Sequence, residues 1–204
     1  MKLTPETLTP EMVEQSVEES MKGILAQAKE LDSLMNGVGR TMQAHRQPSH
    51  KMIRLQEVRD AIIDLVSPHA ACKSGCHHCC MMAVTISSHE AKKIGEHIGV
   101  KPKYVPMNMD RDQRVQAYMG APCPFLKQKK CSIYEVRPSA CRTHFNMSAY
   151  PQVCDVVEFP GRDVPNIDWW QYWVAESVVA LQMGSTFGDL REYFPDGGDV
   201  VESL

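Results

Sequence analysis

All eight cysteines of this chain lie between Cys72 and Cys154. Four of them form one short block, Cys72-Lys-Ser-Gly-Cys76-His-His-Cys79-Cys80, and the others are Cys123, Cys131, Cys141 and Cys154. Cysteines used only as small core residues would scatter among apolar positions. This grouping instead predicts a central metal-binding module between cysteine-free flanks. Thiolates are soft ligands that suit zinc and iron–sulfur clusters. Gly75 allows the backbone to turn tightly inside the first block. Pro124 and Pro138 stiffen the loops that bear Cys123 and Cys141.

The second set of cysteines sits in Pro122-Cys123-Pro124-Phe125-Leu126 and in Cys131-Ser-Ile-Tyr134-Glu-Val-Arg137-Pro138-Ser-Ala-Cys141-Arg142. Together with the C-x3-C-x2-C-C block, these runs resemble the YkgJ-type cysteine-cluster (CxxCxxCC) family of zinc- or iron-chelating proteins. The resemblance covers roughly Cys72 to His144, about a third of the chain. It implies a metal centre and places Cys72, Cys76, Cys79, Cys80, Cys123, Cys131 and Cys141 inside the family pattern, with Cys154 outside. One relative, the flagellin lysine-N-methylase, is similar in cysteine pattern and is an iron–sulfur methyl-transfer enzyme. A cluster-dependent enzyme that modifies a protein side chain is therefore the alternative to a binding or redox module.

Either metal fits the donor set. Eight cysteines could form two tetrahedral zinc sites, but only Cys76-x2-Cys79 has a zinc-knuckle spacing. An iron–sulfur cluster is usually held by four cysteines, and Cys123-Pro124 is similar to the end of ferredoxin-type motifs. The balance favours iron–sulfur over zinc. Cys79 and Cys80 are neighbours, and neighbouring side chains usually point apart, so the two are not expected to ligate the same ion. The spacing Cys72-x3-Cys76-x2-Cys79 also equals the radical S-adenosylmethionine signature, but the alternating strands and helices of that barrel are missing.

Other polar residues accompany the thiols. His77, His78 and His144 are candidate ligands or proton carriers, against the plainer reading as loop residues. Arg137 and Arg142 are candidate cofactor-binding residues whose guanidinium groups offset thiolate charge; the alternative is that they brace the loop. Tyr134 reads as a packing residue. The run Lys127-Gln-Lys129-Lys130 reads as a solvated turn.

The elements that must position these groups read as mainly α-helical, with little or no β-sheet. Thr9-Pro10 starts a helix, and Val13, Val17, Met21, Ile24, Ala28, Leu31 and Met35 follow as one apolar stripe of about seven turns. Asn36-Gly37 reads as its stop. This 9–36 helix either packs on its own domain or forms a homodimer seam. Residues 37–48 read as a linker, and His50 to Val66 as a second helix ended by Ser67-Pro68. Met81 to Ile86 reads as extended. Ser87 to Glu90 is a capping box opening a helix to Ile98, and Arg111 to Met119 is another helix. Residues 120–165 read as loops. A helix from Asn166 or Asp168 to Met183 carries Trp169, Trp170 and Trp173, which read as core with one Trp turned outward. The tail reads as loosely held. By composition the chain divides into 1–48, a cysteine-cluster domain at 49–165, and a Trp-rich helix and tail at 166–204.

The chain has 204 residues, with 22 Lys plus Arg against 25 Asp plus Glu, a formal net charge of −3. That balance argues against a nucleic-acid binder, which shows a basic footprint. No apolar run is long enough to span a bilayer, and the first residues lack an apolar signal core. A cytoplasmic location follows as the expectation, and reduced thiols favour metal over disulfides there. No GxGxxG or Walker motif is present.

Overall fold

The computed structural model describes residues 3–44, 47–73 and 75–197. As expected, the fold is mainly α, with only two small two-stranded sheets among the described residues. No helix is long and apolar enough to cross a membrane. The chain forms two compact units, each built from two stretches: residues 1–73 with 143–184, and 74–142 with 185–204. These units interleave along the sequence, whereas the division at 48/49 and 165/166 is a reading of composition.

The first unit is helical. It contains α1 (Pro10–Leu25), α2 (Ala28–Ala44), α3 (Pro48–Val66) and α7 (Trp170–Gln182). Helix α3 buries Met52, Leu55, Ile62, Leu65 and Val66 and packs on α2 and α7. The single seven-turn helix expected over 9–36 is corrected to two helices. The chain turns at Ala26-Gln27, where Ala26 N donates to Lys22 O and Gln27 N to Ile24 O. Asn36-Gly37 is not a stop, because α2 continues through it. Gly37 is buried, and a Cβ there would stand 3.3 Å from Val58 Cγ2. Its lack of a side chain therefore brings α2 close to α3 and does not end the helix.

The second unit contains β1 (Thr85–Ser87), α4 (Ser88–Ile98), α5 (Arg111–Tyr118), β2 (Leu126–Lys127), β3 (Lys130–Cys131), α6 (Ser139–Arg142), β4 (Phe187–Asp189) and α8 (Leu190–Tyr193). Its core comprises Val84, Ile86, Ala91, Ile94, Val105, Phe125, Ile133, Leu190, Tyr193 and Phe194. The capping box forms as expected: Ser87 Oγ accepts from Glu90 N, and Glu90 accepts from Ser87 N. Gly99, with φ of +73°, ends α4 in the left-handed conformation.

The expectation of a loosely held tail is corrected over 187–194. Strand β4 pairs antiparallel with β1 in the register Thr85↔Asp189, Ile86↔Gly188 and Ser87↔Phe187. Leu190, Tyr193 and Phe194 then enter the core. The glycines and aspartates of this segment serve a strand and a helix cap. Residues 198–204, also part of that expectation, lie outside the described residues.

Candidate metal centre

Six unbridged thiols, Cys76, Cys79, Cys80, Cys123, Cys131 and Cys141, belong to the second unit. Gly75, with φ of +90°, turns the chain into the first block. Cys79 and Cys80 lie on a single 3₁₀ turn, His78–Met81, which Cys80 N secures by donating to His77 O at 2.9 Å. The expectation that these neighbours point apart is corrected: their thiols hydrogen-bond to one another.

The backbone joins this block to the second set. Cys123 N donates to Cys80 O at 2.7 Å, and Gly120 N donates to Met81 O at 2.7 Å. Strands β2 and β3 then form a hairpin with Leu126 opposite Cys131. Its turn residues, Gln128 and Lys129, both have positive φ, so the basic run is an exposed hairpin turn. Ile133 anchors the chain in the core, and α6 carries Cys141. Cys123, Cys131 and Cys141 all pack against the second unit's core.

Burial lifts Cys79, Cys123, Cys131 and Cys141 above the ordinary thiol range. It pushes Cys123 up to about 11. It also raises Cys131, and it raises Cys141 strongly, with Cys79, Cys123 and Cys131 adding like charge and Arg137 opposing. Cys79 is raised strongly as well, first by its hydrogen bond with Cys80 and then by burial. These thiols thus sense one another and two guanidinium groups, Arg137 beside Cys79, Cys131 and Cys141, and Arg191 beside Cys123. Among the described residues, however, no three His, Cys, Asp or Glu side chains stand as a closed ligand set.

The two arginines divide the roles foreseen for them. Arg142 braces the loop: Nε donates to Arg137 O at 3.0 Å and Nη2 donates to Glu135 O. Arg137 lies over the Tyr134 ring at 4.2 Å from its centre. Tyr134 is itself exposed, so it stacks on a cation where packing in a core was expected. Arg137 Nε is buried with no hydrogen-bond partner among the described residues. A buried N–H lacking an acceptor is costly, and this one belongs to the cation that lowers Cys79, Cys131 and Cys141. Thiolate charge beside it would supply what it lacks. The donor set and the orphaned N–H both fit a thiolate-ligated metal.

The histidines separate. His77 and His78 stack with ring centres 5.3 Å apart, and His77 Nδ1 lies 3.3 Å from Gly75 O. His144 is in the first unit, where burial lowers its pKa, and its Nε2 is 3.8 Å from Sγ of Cys154. Cys72 and Cys154 are also in the first unit.

The positioning residues missed by sequence reasoning are Asp189, Arg191 and Glu90. Arg191 is buried and gathers three carbonyls from the cysteine-bearing loops. Nε donates to Pro122 O at 3.2 Å, and Nη2 donates to Met82 O at 3.1 Å and also to Ala121 O. Its Nη1 pairs with Asp189 Oδ1 at 3.0 Å. Asp189 Oδ2 accepts from Val84 N at 2.6 Å. The available signal was the Asp189-x-x-Glu192 spacing of a helix start. Glu90 reaches beyond its own helix: Oε1 accepts from Ser139 N at 2.8 Å, which fixes the start of the Cys141 helix. Glu90→Ala removes both the cap and that acceptor. It is expected to cost about 2–3 kcal/mol in urea unfolding.

Residues 71–156 match the family model CxxCxxCC, described as a "putative zinc- or iron-chelating domain". The matched stretch runs past Cys141 and takes in Cys154. No curated protein and no solved structure matches the chain.

Proposed function

We propose that this protein, whose residues 71–156 match a zinc- or iron-chelating domain, holds an iron–sulfur cluster through thiolates of its second unit. The observation that carries the reading is the set of six thiols in that unit, of which Cys79, Cys131 and Cys141 sense Arg137, and Cys79 and Cys80 are consecutive and in mutual contact. One tetrahedral zinc takes four ligands and leaves two of these sulfurs over. A polynuclear centre spaces its metal atoms, so adjacent thiolates at Cys79 and Cys80 can serve different atoms of one cluster. When bound, such a cluster supplies one-electron transfer.

The chain's own residues supply the setting. Cys76, Cys79, Cys80, Cys123, Cys131 and Cys141 supply the candidate sulfur ligands of this unit. Arg137 lowers Cys79, Cys131 and Cys141, and its unpartnered Nε would donate to a thiolate beside it. Arg142 holds the Arg137 loop, and Arg191 holds the loops on either side of Cys80 and Cys123. The packed aromatic and aliphatic core behind the thiols lowers the local dielectric, which strengthens the pull of Arg137 on the bound thiolates.

The raised thiols set the sign of the pH dependence. Cys79, Cys123, Cys131 and Cys141 hold their protons at neutral pH and must lose them when metal binds. Metal loading is therefore expected to release about one proton per ligating thiol, and apparent affinity to climb with pH by about tenfold per unit per proton released. Metal titration in weakly buffered solution, with proton release followed by a pH indicator, tests this. Loading without proton release would show that the thiols are not the ligands.

A further inference from the structure

Helix α7 is apolar on both its inner and its outer face, with Gln171, Glu176, Ser177 and Gln182 as its polar residues. Its inner face, Tyr172, Ala175, Val179 and Ala180, is buried in the first unit. Its outer face is a continuous stripe of Trp170, Trp173, Val174, Val178 and Leu181, spaced at three to four residues with Ser177 in the middle. These five side chains are exposed, from 39% at Val178 to 67% at Trp170. A helix that is hydrophobic on both faces belongs in a buried environment. The one charged residue of the helix, Glu176, accepts from Tyr172 Oη at 3.0 Å and does not lie on the stripe.

We infer that a second copy of this chain covers the stripe, α7 packing antiparallel on α7 across a two-fold axis. The lack of charge on this face gives an acidic or basic partner nothing to recognise, and no basic residue of α7 would meet an anionic membrane surface. Size fits a second copy: the five side chains expose about 500 Å², so two faces together bury about 1,000 Å², where specific interfaces begin. Shape fits as well. The stripe is aromatic at its start and aliphatic at its end. Antiparallel pairing sets Trp170 and Trp173 of one copy against Val178 and Leu181 of the other, while the small Ser177 lets the helices approach near the axis. Parallel pairing would set Trp against Trp.

Sedimentation velocity on the full chain at micromolar concentration tests the inference. Wild type is expected at twice the 23.0 kDa chain mass. The double variant Val174→Glu, Val178→Glu is expected at the monomer mass, with unchanged circular dichroism because both sites are exposed. The counterpart Val174→Lys, Val178→Lys is likewise expected to be monomeric, and mixing the two variants is expected to restore the dimer. A monomeric wild type would overturn the inference. So would a Glu variant that remains dimeric, which would place the contact elsewhere, such as the 9–36 segment, or a mixture that stays monomeric.

Discussion

Arg191→Ala is expected to lower unfolding stability by about 3–5 kcal/mol, the usual cost of breaking a buried ion pair from one side. For a chain of this size that is a fall of about 10 °C in melting temperature. The reason lies in what Arg191 holds. Its guanidinium faces the carboxylate of Asp189 and three carbonyls, from Met82, Ala121 and Pro122. Removing it leaves Asp189 buried with one cationic partner fewer, and frees the two loops that bring Cys80 and Cys123 together. Metal content is expected to fall with stability. Arg191→Lys separates the two effects: it keeps the charge but has no planar fork to span several carbonyls. It is expected to recover part of the stability and little of the metal. Differential scanning calorimetry and metal analysis on the same samples check both. An Arg191→Ala protein with wild-type melting and metal content would show that the loops are held by other means.

Cys141→Ser is expected to reduce metal affinity by more than about 100-fold, because loss of a mere outer-shell partner already costs about 10–100-fold. Cys141 has Cys79, Cys123 and Cys131 as electrostatic neighbours, which places it centrally among the thiols of its unit. Serine keeps the size and hydrogen-bonding capacity of the side chain but is a hard, weakly acidic donor. The metal-free fold should therefore change by only about 1 kcal/mol, as for an ordinary buried substitution. The contrast with Arg191→Ala is diagnostic: one variant loses metal with its fold intact, the other loses both. Competition with a chelator of known affinity measures the loss. Unchanged affinity in Cys141→Ser would remove this thiol from the ligand set.

Much of this architecture is legible in the sequence where a local signal carries it. The Ser87–Glu90 box, Gly99 and the Ser67-Pro68 stop are local chemistry, and they mark helices that form where expected. Adjacent Trp residues must diverge on a helix, and Trp169 is buried while Trp170 is exposed. Other features depend on distant partners. Gly37 has the appearance of a terminator until Val58 is placed against it. The turn at Ala26-Gln27 contains neither Gly nor Pro, so no residue type marks it. Asp189 and Arg191 act on loops about 70 and 105 residues away, a relation that no periodicity reveals. The cysteines themselves stand out by residue type and spacing. That Cys79 and Cys80, both on one 3₁₀ turn, are in contact does not.

The most direct test of the metal centre is one anaerobic purification from cells supplied with both iron and zinc, followed by metal analysis and a visible spectrum of the same sample. The account predicts a brown protein with thiolate-to-iron charge-transfer absorption and about four irons per chain. A colourless protein holding one zinc per chain would contradict the cluster, and a protein carrying neither metal would contradict the centre itself.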